Sequence, residues 1–281
     1  MEAAPSRTAI QAAVARGTHR LRDARPWILD DPFALMLVGP AWPEINERME
    51  SLFSERLLRR ARAGIVLRSR FAEDRLSGGS ARQYVMLGAG LDSFAWRRPD
   101  LLVSVRVFEV DHPASQAWKR ERVSALGLPT SDDHAFVALD FETTSLRDGL
   151  DMAGFDWDQP TTFSWLGVTP YLTLDAIEET LRTVAACASG TDVAFTYAPS
   201  EDCLDDDDRE TLAILAPMTA SSGESLQTFF SPQGVEALVA RCGLRVDDHP
   251  DPDEVMRRYF ADRIDGLSPW GIARLVAATV R

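Results

Sequence analysis

Apolar residues in the first 80 positions recur at steps of three and four, the spacing that gives a helix one buried face. At residues 77–80, "SGGS" interrupts this periodicity, and short apolar runs then alternate with longer amphipathic stretches. The runs predict strands near residues 83–87, 104–110, 135–139, 161–166, 192–197 and 273–280, with a weaker one near 244–246. The intervening stretches carry helix ends. In "SPQGVEALVARCG", Ser231 caps, Pro232 starts and Gly243 stops a helix whose Val235, Leu238, Val239 and Cys242 share one face. "TLDAIEETLRTVAACASG" repeats the plan with Ile177, Leu181, Val184 and Ala185 inward, and "DDPFA" (30–34) offers an Asp cap followed by Pro at the first helical position. Strands alternating with helices predict an α/β fold: a doubly wound, mainly parallel seven-stranded sheet over residues 81–281, preceded by a helical extension over 1–80. Such sheets bind ligands outside the carboxyl ends of their strands.

The first predicted strand runs into "YVMLGAGLDS", where Gly88 and Gly90 let the backbone approach a ligand closely. The dinucleotide fingerprint wants a third glycine where this chain has Ser93, and Asp92 stands where a pyrophosphate would rest. Two like charges at roughly 4 Å repel by about 1–4 kcal/mol at effective dielectrics between 80 and 20. The site therefore favours a phosphate-free nucleoside cofactor, of which S-adenosylmethionine is the common one, over a nicotinamide dinucleotide. The second strand ends in Glu109 and Asp111, and Asp111 lies 21 residues after Gly90, where a carboxylate accepts ribose hydroxyls. Period-two alternation points both acids the same way, so either is open to that role. The third strand ends at Asp140, placed for the adenine amine, with the backbone N–H that follows it placed for a ring nitrogen.

Composition removes several classes. Forty-three acids against 30 bases give a formal charge of −13, and no basic run exceeds two residues, which excludes a nucleic-acid partner. The same charge opposes an acidic protein partner and favours a small-molecule acceptor. Cys187, Cys203 and Cys242 form no C-x-x-C pair and the four histidines are scattered, so neither a disulfide framework nor a metal site is expected. The N-terminal stretch lacks a signal-peptide apolar core, and nowhere do about 18 apolar residues follow one another; the reading is a cytoplasmic protein away from membranes. Oligomeric state is not legible. The acidic run at 205–208 reads as a solvated segment rather than a hard-metal site, whose oxygens are spaced by fold geometry.

The stretches "IVLRSRFAED", "QYVMLGAGLDSFAWRRP", "VFEVDHPASQAWKRERV", "VALDFE", "WLGVTPYLT" and "FFSPQGVEALVARCGLRV" together resemble the leucine carboxyl methyltransferase family over roughly residues 8–280, and more nearly its bacterial and actinobacterial branch. The resemblance implies a class I methyltransferase (Rossmann-like) fold with a helical N-terminal extension, a lid near residues 200–230, and S-adenosylmethionine-dependent O-methylation. It further implies that Arg68 grips the cofactor carboxylate, that Gly88 and Gly90 form the cofactor turn, that Asp111 holds the ribose, and that Asp140 and Phe141 meet the adenine. Where many members carry Glu-Gly before "YLT", this chain has Leu166-Gly167. Tyr171 and His112 are the catalytic candidates: Tyr171 positions the acceptor or closes the core, and His112 is a general base or a turn residue. The alternatives to a methyltransferase are a nicotinamide-dependent oxidoreductase and a non-catalytic S-adenosylmethionine-binding regulatory protein.

Overall fold

The computed structural model describes residues 6–139, 144–221 and 223–280. Asp140 and Phe141 lie outside the described residues. Four helices precede the sheet: α1 (Arg7–Arg22), α2 (Ala34–Val38), α3 (Trp42–Leu52) and α4 (Glu55–Gly78). Ser6 and Ser54 start α1 and α4 by accepting, through their hydroxyls, the N–H groups of Ala9 (3.3 Å) and Leu57 (3.2 Å). The "DDPFA" segment departs from expectation. Its helix begins at Ala34, two residues past Pro32, because Asp31 Oδ1 accepts from Phe33 N–H (3.1 Å) and Ala34 N–H (2.9 Å) while Oδ2 holds the buried Arg16 (2.9 Å). The carboxylate is shared between a cap and an ion pair, which sets the entry angle of the helix.

The remaining elements are β1 (Gln83–Leu87), α5 (Phe94–Arg97), α6 (Pro99–Leu102), β2 (Arg106–Asp111), α7 (Pro113–Ala125), β3 (His134–Ala138), α8 (Leu146–Met152), β4 (Thr161–Trp165), α9 (Leu174–Ala185), β5 (Asp192–Pro199), α10 (Asp206–Ser221), β6 (Phe229–Phe230), α11 (Pro232–Arg241), β7 (Leu244–Asp248), α12 (Pro252–Tyr259) and β8 (Arg274–Val280). The seven expected strands lie in the order β3-β2-β1-β4-β5-β8-β7, parallel from β3 to β5 and antiparallel at β8 and β7. An eighth, β6, pairs with the end of β5, and Ser200 N–H extends the pairing to Phe230 O (2.9 Å). Two residues carry no readable periodicity, which is why β6 is invisible in the sequence and why β5 outruns its expected end at Tyr197.

The strand order reverses between β1 and β4. Gln83 pairs with both Arg106 and Thr161, and Leu87 with both Val110 and Trp165, so the three strands finish level. Gly88, Asp111 and Leu166-Gly167 thus emerge along one edge at the topological switch point.

One sheet face packs Val85, Leu87, Phe108, Phe163 and Phe195 against Ile177, Leu181 and Val184 of α9 and Val235, Leu238 and Val239 of α11. Both helices start on the expected caps, Thr173 and Ser231. The other face packs Ala194 and Ala277 against Ala63, Val66, Leu67 and Phe71 of α4. Each large side chain buried this way contributes about 1.5–3 kcal/mol. The same packing fixes the rotation of α4 and so aims Arg68, next to Leu67, at the strand ends.

The acidic run at 205–208 is only partly solvated. Asp205 and Asp206 are exposed, but Asp208 is buried, held by Arg60 Nη2 (2.7 Å) and Gly271 N–H (2.9 Å). The run does charge the N-terminus of α10, as helix dipoles favour, and one of its members anchors α10 to α4. No described helix is long and apolar enough to cross a membrane.

Candidate functional site

A cavity of about 1070 Å³ opens beyond the carboxyl ends of β1, β2 and β4 and is lined by Arg68, Gly88, Gly90, Asp111, His112 and Tyr171. Every candidate from the sequence that falls within the described residues therefore reaches one site.

The turn after β1 is built from the two glycines. Gly88 has φ +69° and Gly90 φ +50°, and the N–H groups of Gly88 and Ala89 both donate to Val110 O (2.9 and 3.1 Å). A Cβ on Gly88 would overlap the Val168 side chain just past β4. Gly88→Ala is expected to lower stability by about 1–2 kcal/mol from backbone strain alone, with the overlap adding to it, read from the shift of a urea unfolding midpoint. An unchanged midpoint would show that the turn tolerates a side chain. Arg16, absent from the sequence-derived candidates, donates from Nη2 to Leu91 O and ties α1 to this turn.

Asp111 and Glu109 take different roles. Asp111 Oδ2 accepts from Gly90 N–H and Oδ1 from His112 N–H (2.7 Å), which leaves each oxygen further acceptor capacity toward the cavity. Burial raises its pKa above the ordinary carboxylate value, against the pull of those two N–H groups. Glu109 is sealed in the core, paired with Lys119 Nζ and with His134 Nε2 (3.0 Å). Of the two acids Asp111 lines the cavity, whereas α7 places a lysine over Glu109.

Asp92 does stand beside a helix start, accepting from Phe94 N–H (2.7 Å), and so occupies a donor that a phosphate would use. It is not a bare charge, however. Arg97 Nη2 lies 3.4 Å away. Burial pushes the Asp92 pKa up, but Arg97, Arg16, Lys119 and the Phe94 N–H outweigh it and hold the carboxyl below its usual range. Repulsion of a diphosphate is correspondingly weaker than the bare-charge figure, and the loss of a donor matters more.

Arg68 is the opposite case. Its guanidinium has no hydrogen-bond or ion-pair partner among the described residues, and burial, reinforced by Arg16, pushes its pKa down to about 10. It remains cationic at neutral pH. Gly167 (φ +74°) makes the room: a Cβ there would collide with Arg68 Nη1. Leu166 packs against the α4 side of the core instead of offering a carboxylate.

His112 caps α7, its Nδ1 accepting from Ala114 N–H (3.2 Å), and is exposed. This is the turn role. Tyr171 ends the 3₁₀ turn Thr169–Tyr171. Burial, with the charge of Glu224 adding and that of Arg68 opposing, raises its pKa, so the phenol keeps its proton and serves as a donor. The far part of the cavity, built by α1, α3, α4 and α10, is apolar: Ile45, Met49, Leu52, Leu57, Ile65 and Leu215 line it. Neither these positions nor Glu224 carry a local motif, and only the fold gathers them. Among the described residues no group of three His, Cys, Asp or Glu side chains is arranged to hold a metal ion.

The fold recurs in solved structures. A protein of the DUF574 family from Streptomyces avermitilis superposes over 99% of this chain and 98% of its own length (TM-score 0.61, 15% identity). A protein from Thermobifida fusca does so over 99% and 96% (TM-score 0.64, 16% identity). In sequence, a Bacillus subtilis protein provisionally named as an S-adenosyl-L-methionine-dependent methyltransferase, YktD, is 35% identical over 67% of this chain and 62% of its own length. The match thus spans less than two thirds of that relative. A Saccharopolyspora erythraea protein, likewise provisionally named, is 34% identical over 89% of this chain and 80% of its own. The family model described as leucine carboxyl methyltransferase matches residues 9–185, which include most of α1, all of α2 to α4, the glycine turn and the ends of β2 and β4. The chain belongs to the leucine carboxyl methyltransferase family.

Proposed function

We propose that this chain transfers a methyl group from S-adenosylmethionine to an oxygen of a small, largely apolar acceptor. The observation that carries the reading is Arg68: a buried guanidinium with no hydrogen-bond or ion-pair partner among the described residues, facing a cavity whose opposite edge presents the Asp111 carboxylate. A ligand with an α-carboxylate at one end and ribose hydroxyls at the other matches that pair.

When bound, S-adenosylmethionine supplies a methyl group already activated on a sulfonium. The residues present fit its ends. Arg68 pairs the carboxylate through two parallel N–H donors, the geometry that favours Arg over Lys. Asp111 accepts the ribose hydroxyls with its remaining lone pairs, and Gly88 and Gly90 keep the backbone close. Asp140 and Phe141 are assigned to the adenine by family resemblance. The apolar wall from α3, α4 and α10 keeps water from the reacting oxygen. Holding that oxygen in line at contact distance is worth about 7–11 kcal/mol. Tyr171, as a donor, orients the acceptor.

His112 is engaged as a cap and Tyr171 holds its proton, so neither of the two candidates acts as a general base. This favours an acceptor already ionised at neutral pH, a carboxylate or an acidic phenol. We assign residues 1–80 and the segment near 200–230 as the cap and lid that exclude water around it.

Calorimetric titration with S-adenosylmethionine, S-adenosylhomocysteine and NADH tests the cofactor. Binding of the first two and not the third is expected; NADH alone binding would replace the reading with an oxidoreductase. Asp111→Asn is expected to weaken S-adenosylhomocysteine roughly tenfold to a hundredfold, as for hydrogen bonds to a charged group. Unchanged affinity would remove Asp111 from the ribose site. Methyl uptake by apolar carboxylic acids and phenols then tests the acceptor; cofactor binding with no turnover on any of them would favour a regulatory protein.

A further inference from the structure

An α-amino acid tail carries an ammonium as well as a carboxylate, and the end of β4, which lies under Arg68, offers that ammonium no acid: Leu166 packs partly against the core and lines the cavity with an uncharged side chain. Among the described residues four acidic side chains line the cavity: Asp92, Asp111, Glu179 and Glu224. Asp92 is committed to Arg97 and the Phe94 N–H, and Asp111 lies at the β2 end. Glu179 is exposed. Glu224 differs from all three. Its Oε1 accepts from the Ser6 hydroxyl (2.6 Å), while Oε2 is buried with no hydrogen-bond partner. A buried carboxylate oxygen left unpaired is costly, and the cost is relieved by a cation.

The position of Glu224 is well triangulated. The loop that follows it is pinned to the turn after β4, with Gln227 N–H donating to Pro170 O (2.7 Å), Gln227 Nε2 to Tyr171 O (2.6 Å) and Thr228 N–H to Pro170 O (3.3 Å). That turn begins two residues after Gly167, against which Arg68 packs. On the other side, Ser6 starts α1, whose Ala9 abuts Gly90. Glu224 is thus held between the glycine turn and the Arg68 pocket, by contacts from both chain ends of the cavity roof.

We infer that Glu224 is the acceptor for the ammonium of the cofactor's amino-acid tail, the acid that the β4 end lacks. The inference rests on the reading that S-adenosylmethionine is the ligand. It makes cofactor binding a link between the start of α1, which the Glu224 carboxylate meets at Ser6, and the segment after α10, whose Gln227 and Thr228 are bonded to the turn after β4.

Calorimetry on the full chain tests this with three probes: S-adenosylhomocysteine, its desamino analogue, which lacks only the ammonium, and 5′-methylthioadenosine, which lacks the whole tail. Glu224→Gln is expected to weaken S-adenosylhomocysteine roughly tenfold to a hundredfold while leaving both other probes at wild-type affinity. Undiminished S-adenosylhomocysteine affinity in the variant overturns the assignment, including the case in which turnover falls, which would place Glu224 on the acceptor. An equal loss for all three probes also overturns it, since Glu224 would then only shape the roof. If the wild-type protein binds none of the three, it is the cofactor reading that fails.

Discussion

Arg68→Met is expected to weaken S-adenosylhomocysteine at least thirtyfold without lowering the melting temperature. Both halves follow from one observation. A guanidinium buried beside Arg16 and lacking any described partner is a destabilising feature of the free protein: burial and like charge together pull its pKa down to about 10. Methionine has a similar stem and removes that charge, so folding loses little or gains. The ligand carboxylate, by contrast, loses its bidentate partner in a desolvated site. Truncating one member of such a pair costs about 2–5 kcal/mol, hence roughly 30-fold to several thousand-fold in affinity. Arg68→Lys is expected to fall between, because an ammonium is a point charge and cannot form two parallel bonds. Thermal melts and calorimetry on the three proteins read both quantities. A methionine variant that binds within threefold of wild type would show that Arg68 serves the fold only, and a large fall in melting temperature would show that its charge has a partner in the folded state.

The contrast with Arg70 explains what was and was not legible in the sequence. Two arginines two positions apart on one helix face different ways, but the sequence alone does not say which faces the ligand. Packing decides it: Leu67 and Phe71 turn α4 onto the sheet, which sends Arg68 to the strand ends and leaves Arg70 exposed, bonded to Asp74 (2.6 Å). The strands and their order of appearance were legible because short apolar runs bounded by turn residues are local signals. That Gly88, Gly90 and Asp111 reach the cavity was legible because they lie at the ends of such runs. Glu109 against Asp111 was not, since the discriminating residue, Lys119, reaches back from α7. Glu224 was least legible of all. It sits in "SSGES", a stretch with turn composition and nothing else, and is held by its own bonds to Ser6 and Thr219 O and by those of Gln227 and Thr228 to Pro170 and Tyr171. The acidic run shows the converse. Its composition predicted solvent, and Asp208 escaped that prediction because Arg60 and the Gly271 N–H lie within reach across the fold.

Lys119→Met is expected to destabilise the protein by about 3–5 kcal/mol at neutral pH and to change how stability responds to acid. Glu109 is wholly buried beneath Lys119, with His134 on its other oxygen. Burial alone raises the pKa of Glu109, but Lys119 and His134 overcome it and hold the carboxyl below its ordinary value. In the wild-type protein this group therefore contributes stability that is present above the unfolded carboxylate pKa of about 4.3 and is lost as pH falls through the lower folded value. Without the lysine, the dominant burial contribution is opposed by His134 alone. A proton taken up by Glu109 then relieves the unpaired charge, so the folded variant binds more protons than its unfolded chain in the mildly acidic range. By the linkage sign, its stability falls as pH rises, opposite to the contribution Glu109 makes in the wild type. Urea unfolding of both proteins at pH 5.5, 7 and 8 reads the difference directly: the gap between them is expected to widen from the lowest pH to the highest. A gap below 1 kcal/mol, or one that narrows as pH rises, would mean that Lys119 is not what keeps the Glu109 charge in the core.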